Sequence, residues 1–431
     1  MTGLVRLAAE QWRREFSHVR AGVGPTDRGG PATSEGGAFV SDREADAFAR
    51  AVLGMLAEPG DGLLGRLIES LGAVATAELL IGRATADRIV SDTADAGEAL
   101  ALNEVETGLA RWAPRIDQRA FVQALSQAHR VGAVFLVPGE RDWPSGVDDL
   151  GVHAPIGLWV RGSTGALARG RVSVALVGAR AATGYGEHMT MEISAGLVDR
   201  GATVVSGGAY GIDGMAHRSA LASEGTTVAF LAGGIDRFYP MGHDALLQRI
   251  TETGAVVSEL PCGASPTKWR FLQRNRLIAA ASAATVVLEA GMRSGSLNTA
   301  GHAAALGRPL GALPGPATSP ASAGCHRLMR EYDAVCVVDA EQVLELAGGP
   351  VASVQGVPGA SAVGGGPASV PDDPETIRVL DALSTRSPRQ VGDLAQRSGL
   401  PASDVMAVLG PLELDGTAVW REDGWIRRRR S

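Results

Sequence analysis

Lysine and cysteine are nearly absent from this sequence. Lys268 is the only lysine among 40 lysine and arginine residues, and the three cysteines Cys262, Cys325 and Cys336 form no CxxC pair. Three cysteines cannot all pair with one another, and without CxxC spacing a structural zinc ion is not indicated. This usage is typical of a reducing compartment, so we expect a cytoplasmic protein.

Long apolar runs are missing too. No segment approaches the roughly 20 residues of a membrane span, and the N-terminus lacks the apolar core of a signal peptide, so we expect no membrane association. The net charge is −7, and aromatic residues make up 4% of the chain. A protein of this charge does not coat nucleic acid by bulk attraction, so any polyanion site must be local. Neither GxGxxG nor GxxxxGK[ST] occurs, so a dinucleotide or P-loop site is not supported.

Two glycine-, proline- and serine-rich tracts divide the chain, at 21–37 and 348–371. Such compositions are typical of linkers. We therefore predict a flexible N-terminal segment over 1–41, a helical domain over 42–125, a core domain over 126–347, a linker over 348–371 and a C-terminal domain over 372–431.

Residues 42–112 have the pattern of short amphipathic helices broken by glycine, similar to a SAM or helix-hairpin-helix bundle. Such bundles often bind DNA backbones. Here 13 acidic residues stand against six arginines, which favours a structural or protein-contact role instead.

The core domain has a different rhythm, in which apolar strands alternate with helical segments. The strands are too uniformly apolar to be half exposed, which predicts an α/β fold with a doubly wound parallel sheet of the Rossmann type. In such sheets ligands bind beyond the carboxyl ends of the strands. The predicted strands are 174–177, 203–205, 227–231, 255–257, 285–288 and 310–313.

Four glycine-rich turns, at 178–186, 206–217, 232–240 and 289–296, follow predicted strands. Glycine lets backbone N–H groups converge on an anion, and the following helix N-terminus adds partial positive charge. One such turn could simply be a tight connection. Four at the same sheet edge favour an anion-binding groove, with Gly207, Gly208, Ser294 and Gly295 as candidate contacts.

The segment from Lys268 to Arg276 interleaves cations with two large aromatic side chains, and no acidic residue occurs between Glu259 and Glu289. We expect an exposed loop, because cations are costly to bury and Trp269 and Phe271 need a flat apolar cover. Cations for phosphates and rings for bases are the chemistry of single-stranded nucleic acid binding. The cationic candidates are Lys268, Arg270, Arg274 and Arg276.

The order of motifs over roughly 130–345 resembles the DprA family, also called Smf. The resemblance rests on Val-Gly-Ala-Arg180, the 206–213 turn, the 234–240 turn with Tyr-Pro240, Phe271-Leu-Gln-Arg-Asn-Arg276 and the 294–299 segment. The family implies a Rossmann-like core that binds single-stranded DNA, usually as a homodimer, and loads the RecA recombinase. Single-strand binding protein is a further candidate partner.

Carried over by position, the resemblance makes Arg180 and Lys268 phosphate contacts, Phe271 the ring for a base, and Arg274-Asn275-Arg276 a further binding element. For Arg180 and Arg276 the alternative is an ion pair with Glu187, Glu259 or Glu289. The sequence departs from the family pattern at His243, Leu272, His326 and Tyr332.

Asp213 and His217 stand one helical turn apart, as two metal ligands would. Since no third ligand is evident, we interpret Asp213 as a cap or loop organiser and His217 as a packed histidine. We expect no metal and no cofactor.

The C-terminal domain is predicted to be a winged helix. Its helices are expected over 373–383, 391–397 and 403–415, and its wing strands over 418–420 and 425–427. Residues 399–420 contain no lysine or arginine, which argues against base reading by the third helix. The arginines at 427–430 could still contact phosphates or be only a solvated tail.

Taken with the resemblance, these features predict a single-stranded DNA binding protein that protects strands for recombination and is not an enzyme. The alternatives are a nucleotide-binding domain or a nucleotide phosphoribohydrolase of the related Rossmann variant. Those hydrolases carry a Pro-Gly-Gly-x-Gly-Thr loop, which this sequence lacks.

Overall fold

The computed structural model describes residues 10–20, 41–167, 172–348 and most of 376–428. The chain divides into two compact units, Met1–Ser353 and Val354–Ser431. None of the helices within the described ranges is long and apolar enough to cross a membrane.

Within the described residues, seven α-helices precede the sheet. The first lies inside the segment predicted to be flexible, and its Phe16 and Val19 side chains are fully buried. The Phe16 ring packs edge-on against Phe48, with 5.3 Å between ring centroids. The prediction of a flexible segment is therefore wrong for 10–20, while 1–9 and 21–40 lie outside the described residues. The helices are α1 Glu10–Val19, α2 Asp42–Leu56, α3 Gly62–Leu71, α4 Ala73–Ile81, α5 Ala86–Asp95, α6 Leu102–Trp112 and α7 Gln118–Arg130.

The helical region does not have a core of its own. Leu53 and Leu125 belong to one buried apolar cluster with Phe135, Trp159 and Ile250 from the sheet region. The helices also continue to Arg130, beyond the predicted boundary at 125. Helices and sheet therefore pack as parts of one unit.

In the part of the chain that the structure describes, nine strands form one sheet at the centre of the first unit, in the order β1-β2-β6-β5-β4-β3-β7-β8-β9. Strands β3 to β9 run parallel, while β1 and β2 add an antiparallel edge. The six predicted strands are confirmed, and β1, β2 and β9 were not predicted. The strands are β1 Ala133–Leu136, β2 Leu158–Gly162, β3 Ser173–Gly178, β4 Thr203–Ser206, β5 Thr227–Phe230, β6 Ala255–Ser258, β7 Ala284–Glu289, β8 Leu310–Ala312 and β9 Val335–Cys336.

Helices cover both faces of the sheet, as predicted for a doubly wound Rossmann-like fold. Val174 and Leu176 of β3 pack with α8, α9 and α14, whereas the alternate residues Ala175 and Val177 pack with α11, α12 and α13. This follows from the two-residue period of a strand. The helices are α8 Gly184–Asp199, α9 Ile212–Ala222, α10 Asp244–Thr253, α11 Lys268–Ala280, α12 Ser296–Ala305, α13 Ala323–Glu331 and α14 Ala340–Leu346. Short 3-10 helices span Ala113–Arg115, Ser145–His153, Thr164–Leu167 and Met241–His243.

The strand order reverses between β3 and β7. From β3 the chain builds β4, β5 and β6 on one side, then crosses over to place β7 on the other side. The loops that follow β3 and β7 therefore diverge and leave a crevice at their carboxyl ends, which is where open α/β sheets bind ligands.

In its described part, the second unit contains two complete helices and a hairpin, in agreement with the predicted winged helix. Its elements are α15 Val391–Ser398, α16 Ala402–Leu414, β10 Ala418–Arg421 and β11 Gly424–Arg427. The Trp420 and Trp425 rings meet edge-on in the hairpin, 5.4 Å apart. A further helix was predicted over 373–383, and within it Thr376, Val379, Leu380 and Ala382 are helical. Residues 373–375, 377, 378 and 381 lie outside the described part of the chain, as do 349–371 of the predicted linker.

Candidate nucleic-acid interface

A groove of about 1090 Å³ lies at the carboxyl ends of β3 and β7. It is lined by the turn after β3 from Gly178, the turn after β7 from Gly291, and one face of α11. Ser294 and Gly295, two of the predicted anion contacts, line it. The groove therefore lies where the strand order and the glycine-rich turns place it.

The segment 268–276 forms the first turns of α11, so the predicted exposed loop is wrong. Thr267 caps the helix, since its hydroxyl accepts a hydrogen bond from the backbone N–H of Arg270 at 3.2 Å. Helical periodicity then sorts the candidate residues by face. Lys268, Phe271, Leu272 and Asn275 line the groove.

Arg270 and Arg276 lie away from the groove. The Arg270 guanidinium donates to both Glu58 carboxylate oxygens, at 2.9 and 2.8 Å. Arg276 is 3% exposed and donates two 2.8 Å hydrogen bonds to Glu259 and a third to the His153 carbonyl. Arg276 thus forms the ion pair with Glu259 that was left open as an alternative. The prediction that Arg270 and Arg276 are exposed is wrong.

Trp269 is 57% exposed but does not line the groove. Successive residues of a helix are rotated by about 100° from one another. Trp269 comes one residue after Lys268, so it lies off the groove face of α11. The structure therefore does not bring the two aromatic side chains of the segment together.

Arg274 is buried in the floor of the groove. Its Nη1 donates to the carbonyls of Gly207, at 2.6 Å, and Phe230. Burial lowers the pKa of Arg274 to about 10, and the Asp213 carboxylate partly opposes that shift. Arg274 thus holds the turns after β4 and β5 in place, and the prediction that it is exposed is wrong.

Gly207 and Gly208 support the groove from behind and do not line it. The Gly207 N–H donates to Asp213, and the Gly208 carbonyl contacts the Nδ1 of His243 at 3.0 Å. Gly208 has a φ of +67°, which favours glycine. The prediction that these two glycines contact the ligand is therefore not supported by their positions.

Asp213 organises a loop and His217 is a packed histidine, as predicted. The Asp213 carboxylate accepts from the backbone N–H groups of Gly207 and Ala209, at 3.2 and 3.5 Å. Burial raises the pKa of Asp213, against the opposing effect of Arg274. His217 is fully buried, its Nδ1 lies 2.7 Å from the Thr227 hydroxyl, and burial lowers its pKa to about 3.

Three exposed cations line the groove: Arg180, Lys268 and Arg293. Within the described residues no carboxylate lies within 4.0 Å of any of their charged nitrogens. The ion pair considered for Arg180 is therefore not formed there. Sequence reasoning did not single out Arg293, although it lies inside the 289–296 turn that predicted an anion site.

Two aromatic rings stand beside these cations. The Phe271 ring lies 5.2 Å from the Arg180 guanidinium carbon and 5.6 Å from the Tyr239 ring centre. Tyr239 is 47% exposed and lines the groove. It was not predicted as a site residue, although its Tyr-Pro motif was part of the resemblance. The groove thus combines unpaired positive charge with ring surface.

Glu289 ends β7 next to the groove, but its carboxylate is occupied. It accepts from the backbone N–H of Thr183 at 2.8 Å and from the Thr183 hydroxyl at 2.6 Å. Thr183 is the N-cap of α8. This buried glutamate therefore fastens the turn after β3 to β7.

Residues 134–348 match the family model described as DNA recombination-mediator protein A, and 366–424 match the DprA winged helix domain. A Mycobacterium tuberculosis protein assigned as a DNA processing protein DprA is 41% identical over 391 residues, which cover 88% of this chain and 94% of that protein. This chain belongs to the DprA family. Protein Smf of Escherichia coli is 35% identical over 285 residues, 64% of this chain and 73% of its own length.

Among solved structures, DNA processing protein A (DprA) from Streptococcus pneumoniae aligns with a TM-score of 0.55 and 28% identity, covering 70% of this chain and 96% of that one.

Two departures from the DprA pattern have structural roles here. His243 is buried between the Gly208 carbonyl and Arg218, and the Nε2 of His326 lies 3.0 Å from the Gly315 carbonyl. Both histidines therefore contact backbone that shapes turns.

Proposed function

We propose that this DprA family member binds single-stranded DNA in the groove between β3 and β7. The observation that carries the proposal is the meeting of three exposed cations, Arg180, Lys268 and Arg293, with the Phe271 and Tyr239 rings. Phosphates bind the cations, and an unstacked base packs against the rings.

Single strands suit this groove better than a duplex does. A duplex buries the faces of its bases in its own stack, so no base face is available to Phe271 or Tyr239. Three cations also neutralise only a few phosphates, and a protein that binds duplex backbones by charge uses more. Selectivity for single strands therefore depends on the rings and affinity partly on the charges.

The test compares oligo-dT with a blunt duplex of matching length by fluorescence anisotropy at several salt concentrations. We expect tighter binding of oligo-dT and a shallow but measurable salt dependence. Equal affinity for the two ligands would overturn the proposal. An affinity that does not change with salt concentration would show that the cations do not bind phosphates.

We infer binding without catalysis, because the acidic side chains beside the groove hold turns together. The Asp213 carboxylate accepts backbone N–H groups, and the Glu289 carboxylate accepts from Thr183. A phosphoribohydrolase needs a carboxylate directed at the ribose. Incubation with nucleoside monophosphates should release no free base, and release of base would favour the hydrolase alternative.

The protein then loads the RecA recombinase onto the bound strand. We propose that it also does so on strands that are covered by single-strand binding protein. This part rests on the family alone. The test measures the rate at which RecA filaments start on covered single strands. The wild-type chain should raise that rate and Lys268→Ala should raise it less, and equal rates with and without the protein would overturn this step.

Homodimerisation is a further part of the proposal, and β9 supports it. Among the described residues this strand is the last of the sheet, and Tyr332, Val335 and Val338 around it are 40–50% exposed. An uncovered edge strand with apolar neighbours favours pairing with another chain. Light scattering should give twice the chain mass for the wild type and a smaller mass for Val335→Lys, and identical masses would contradict this surface.

A further inference from the structure

Three potential metal ligands meet away from the groove, where α1 packs on α7. They are Glu15 and His18 of α1 and His129 of α7, and their ligand atoms all lie within 4.8 Å of one another. In the described part of the chain this is the one group of three such side chains, and none of its members lines the groove.

Helix geometry brings these side chains together. Glu15 and His18 are three residues apart in α1, so they share a face. Phe16 and Val19 of the same helix are fully buried, which fixes how α1 lies on its neighbours. His129 is the penultimate residue of α7. The packing of Phe16 and Val19 therefore holds Glu15 and His18 next to His129.

One oxygen of the Glu15 carboxylate, Oε2, is buried and has no hydrogen-bond partner among the described residues. The Nδ1 of His129 lies 3.8 Å from this oxygen, beyond hydrogen-bond distance. The His18 and His129 rings stack beside it, with centroids 4.1 Å apart and planes inclined by 22°. Buried polar atoms are nearly always satisfied, so we expect an additional partner for this oxygen.

We propose that Glu15, His18 and His129 bind a zinc ion, with water as the fourth ligand. Two imidazoles and one carboxylate form a donor set that zinc accepts, whereas magnesium requires oxygen ligands. Zinc bonds of roughly 2.0–2.2 Å require ligand atoms closer together than 4.8 Å. Half of the His129 side chain is exposed and His18 is exposed, so rotation of the two rings supplies that approach.

The ion fastens α1 to α7. A helix of ten residues is marginal alone, because helix nucleation costs more than so few hydrogen bonds return. Because two of the ligands lie in α1 and the third in α7, a bound ion holds α1 against α7. Zinc binding should therefore protect α1 from local unfolding without changing the groove.

The first test is calorimetric titration of the metal-free full-length chain with zinc chloride. We expect one ion per chain, and at least a tenfold loss of affinity in His18→Ala, in His129→Ala and in the equally sized Glu15→Gln. His188→Ala is the matched control, because His188 is exposed on α8 outside the cluster. Absence of saturable binding, or an equal loss in the control, would overturn the proposal.

The second test measures the local stability of α1 at a saturating zinc concentration. Hydrogen exchange of the α1 amides should slow by at least tenfold when zinc is added to the wild type and stay unchanged in His129→Ala. Magnesium chloride should have no such effect. Zinc-induced protection that persists in His129→Ala, or that is missing from the wild type, would refute the role of these three residues. Circular dichroism checks that the variants fold, and Glu15→Gln provides the comparison if an alanine variant does not.

Discussion

The guanidinium carbon of Arg180 lies 5.2 Å from the centre of the Phe271 ring. A cation over a ring is attracted by the negative charge of the ring face. Arg180 follows β3 and Phe271 belongs to α11, so this contact connects two sides of the groove. We expect an incoming base to pack against the same ring and the Arg180 charge to meet the adjacent phosphate.

Removing the Phe271 ring should weaken binding without changing its dependence on salt. Phe271→Ala removes a stacking surface that contributes roughly 1–3 kcal/mol, which lowers oligo-dT affinity by about 5- to 150-fold. Phe271→Tyr keeps the ring and should bind nearly as the wild type does. Fluorescence anisotropy over a salt series measures both quantities. A changed salt slope in Phe271→Ala would show that the ring does not act by stacking.

Removing a groove cation should change the salt dependence. Lys268→Ala or Arg293→Ala eliminates one phosphate contact, and each should lower the slope of log affinity against log salt by about 0.7. The control is Arg119→Ala, an exposed arginine of α7 that does not line the groove. If Arg119→Ala lowered the slope as much as Lys268→Ala does, the phosphate contacts would not be specific to the groove cations.

Arg276 should matter for stability, because it is buried in an ion pair. The Arg276 and Glu259 side chains are 4% and 10% exposed. Arg276→Ala leaves an uncompensated buried carboxylate, which costs about 3–5 kcal/mol of unfolding free energy. Urea denaturation measures that loss. Arg327→Ala breaks the exposed pair with Glu331 and should hardly move the urea midpoint, and equal midpoint shifts for the two variants would contradict the prediction.

Burial of His217 should make the first unit less stable in acid. Its pKa is lowered to about 3 in the folded protein because of burial, against an ordinary value of 6.5. Between these values the unfolded chain binds a proton that the folded chain does not, so unfolding free energy falls as pH falls. The slope from this residue reaches roughly 1.4 kcal/mol per pH unit. Urea unfolding of wild type and His217→Gln at pH 7, 6 and 5 should show a shallower decline in the variant, and parallel declines would contradict the prediction.

Truncation at Gly349 should leave a folded protein that still binds single strands. The first unit has its own buried core and contains the whole groove. Affinity for oligo-dT should fall by less than Lys268→Ala and Phe271→Ala cause together. Any loss should return when only the arginines at 427–430 are attached through a short linker, because 399–420 contain no cation. Nearly complete loss without such rescue would show that the winged helix itself holds DNA.

Much of the fold follows from the sequence. Uniformly apolar strands and glycine-rich turns are local signals, and the six strands 174–177 to 310–313 appear where these signals place them. The end strands were missed for physical reasons. Strand β9 has only two residues, both exposed, and β1 and β2 complete an edge whose pairing depends on distant segments.

The site was predictable only in part. Composition identified 268–276 as unusual, and motif order connected it with Arg180, but composition does not tell which side of a helix a residue occupies. The capped helix beginning at Lys268 separated the candidates, placing Phe271 in the groove and Arg276 against Glu259.

The sequence by itself determined the sheet type, the edge of the sheet that carries the groove and the residue types that recognise a polyanion. Only the tertiary structure decided which of those residues are available to a ligand. The reason is that partners such as Glu58 for Arg270 and Gly207 for Arg274 lie 212 and 67 positions away in the chain. Charge neutralisation and burial depend on such distant neighbours, whereas strand and turn formation depend on near ones.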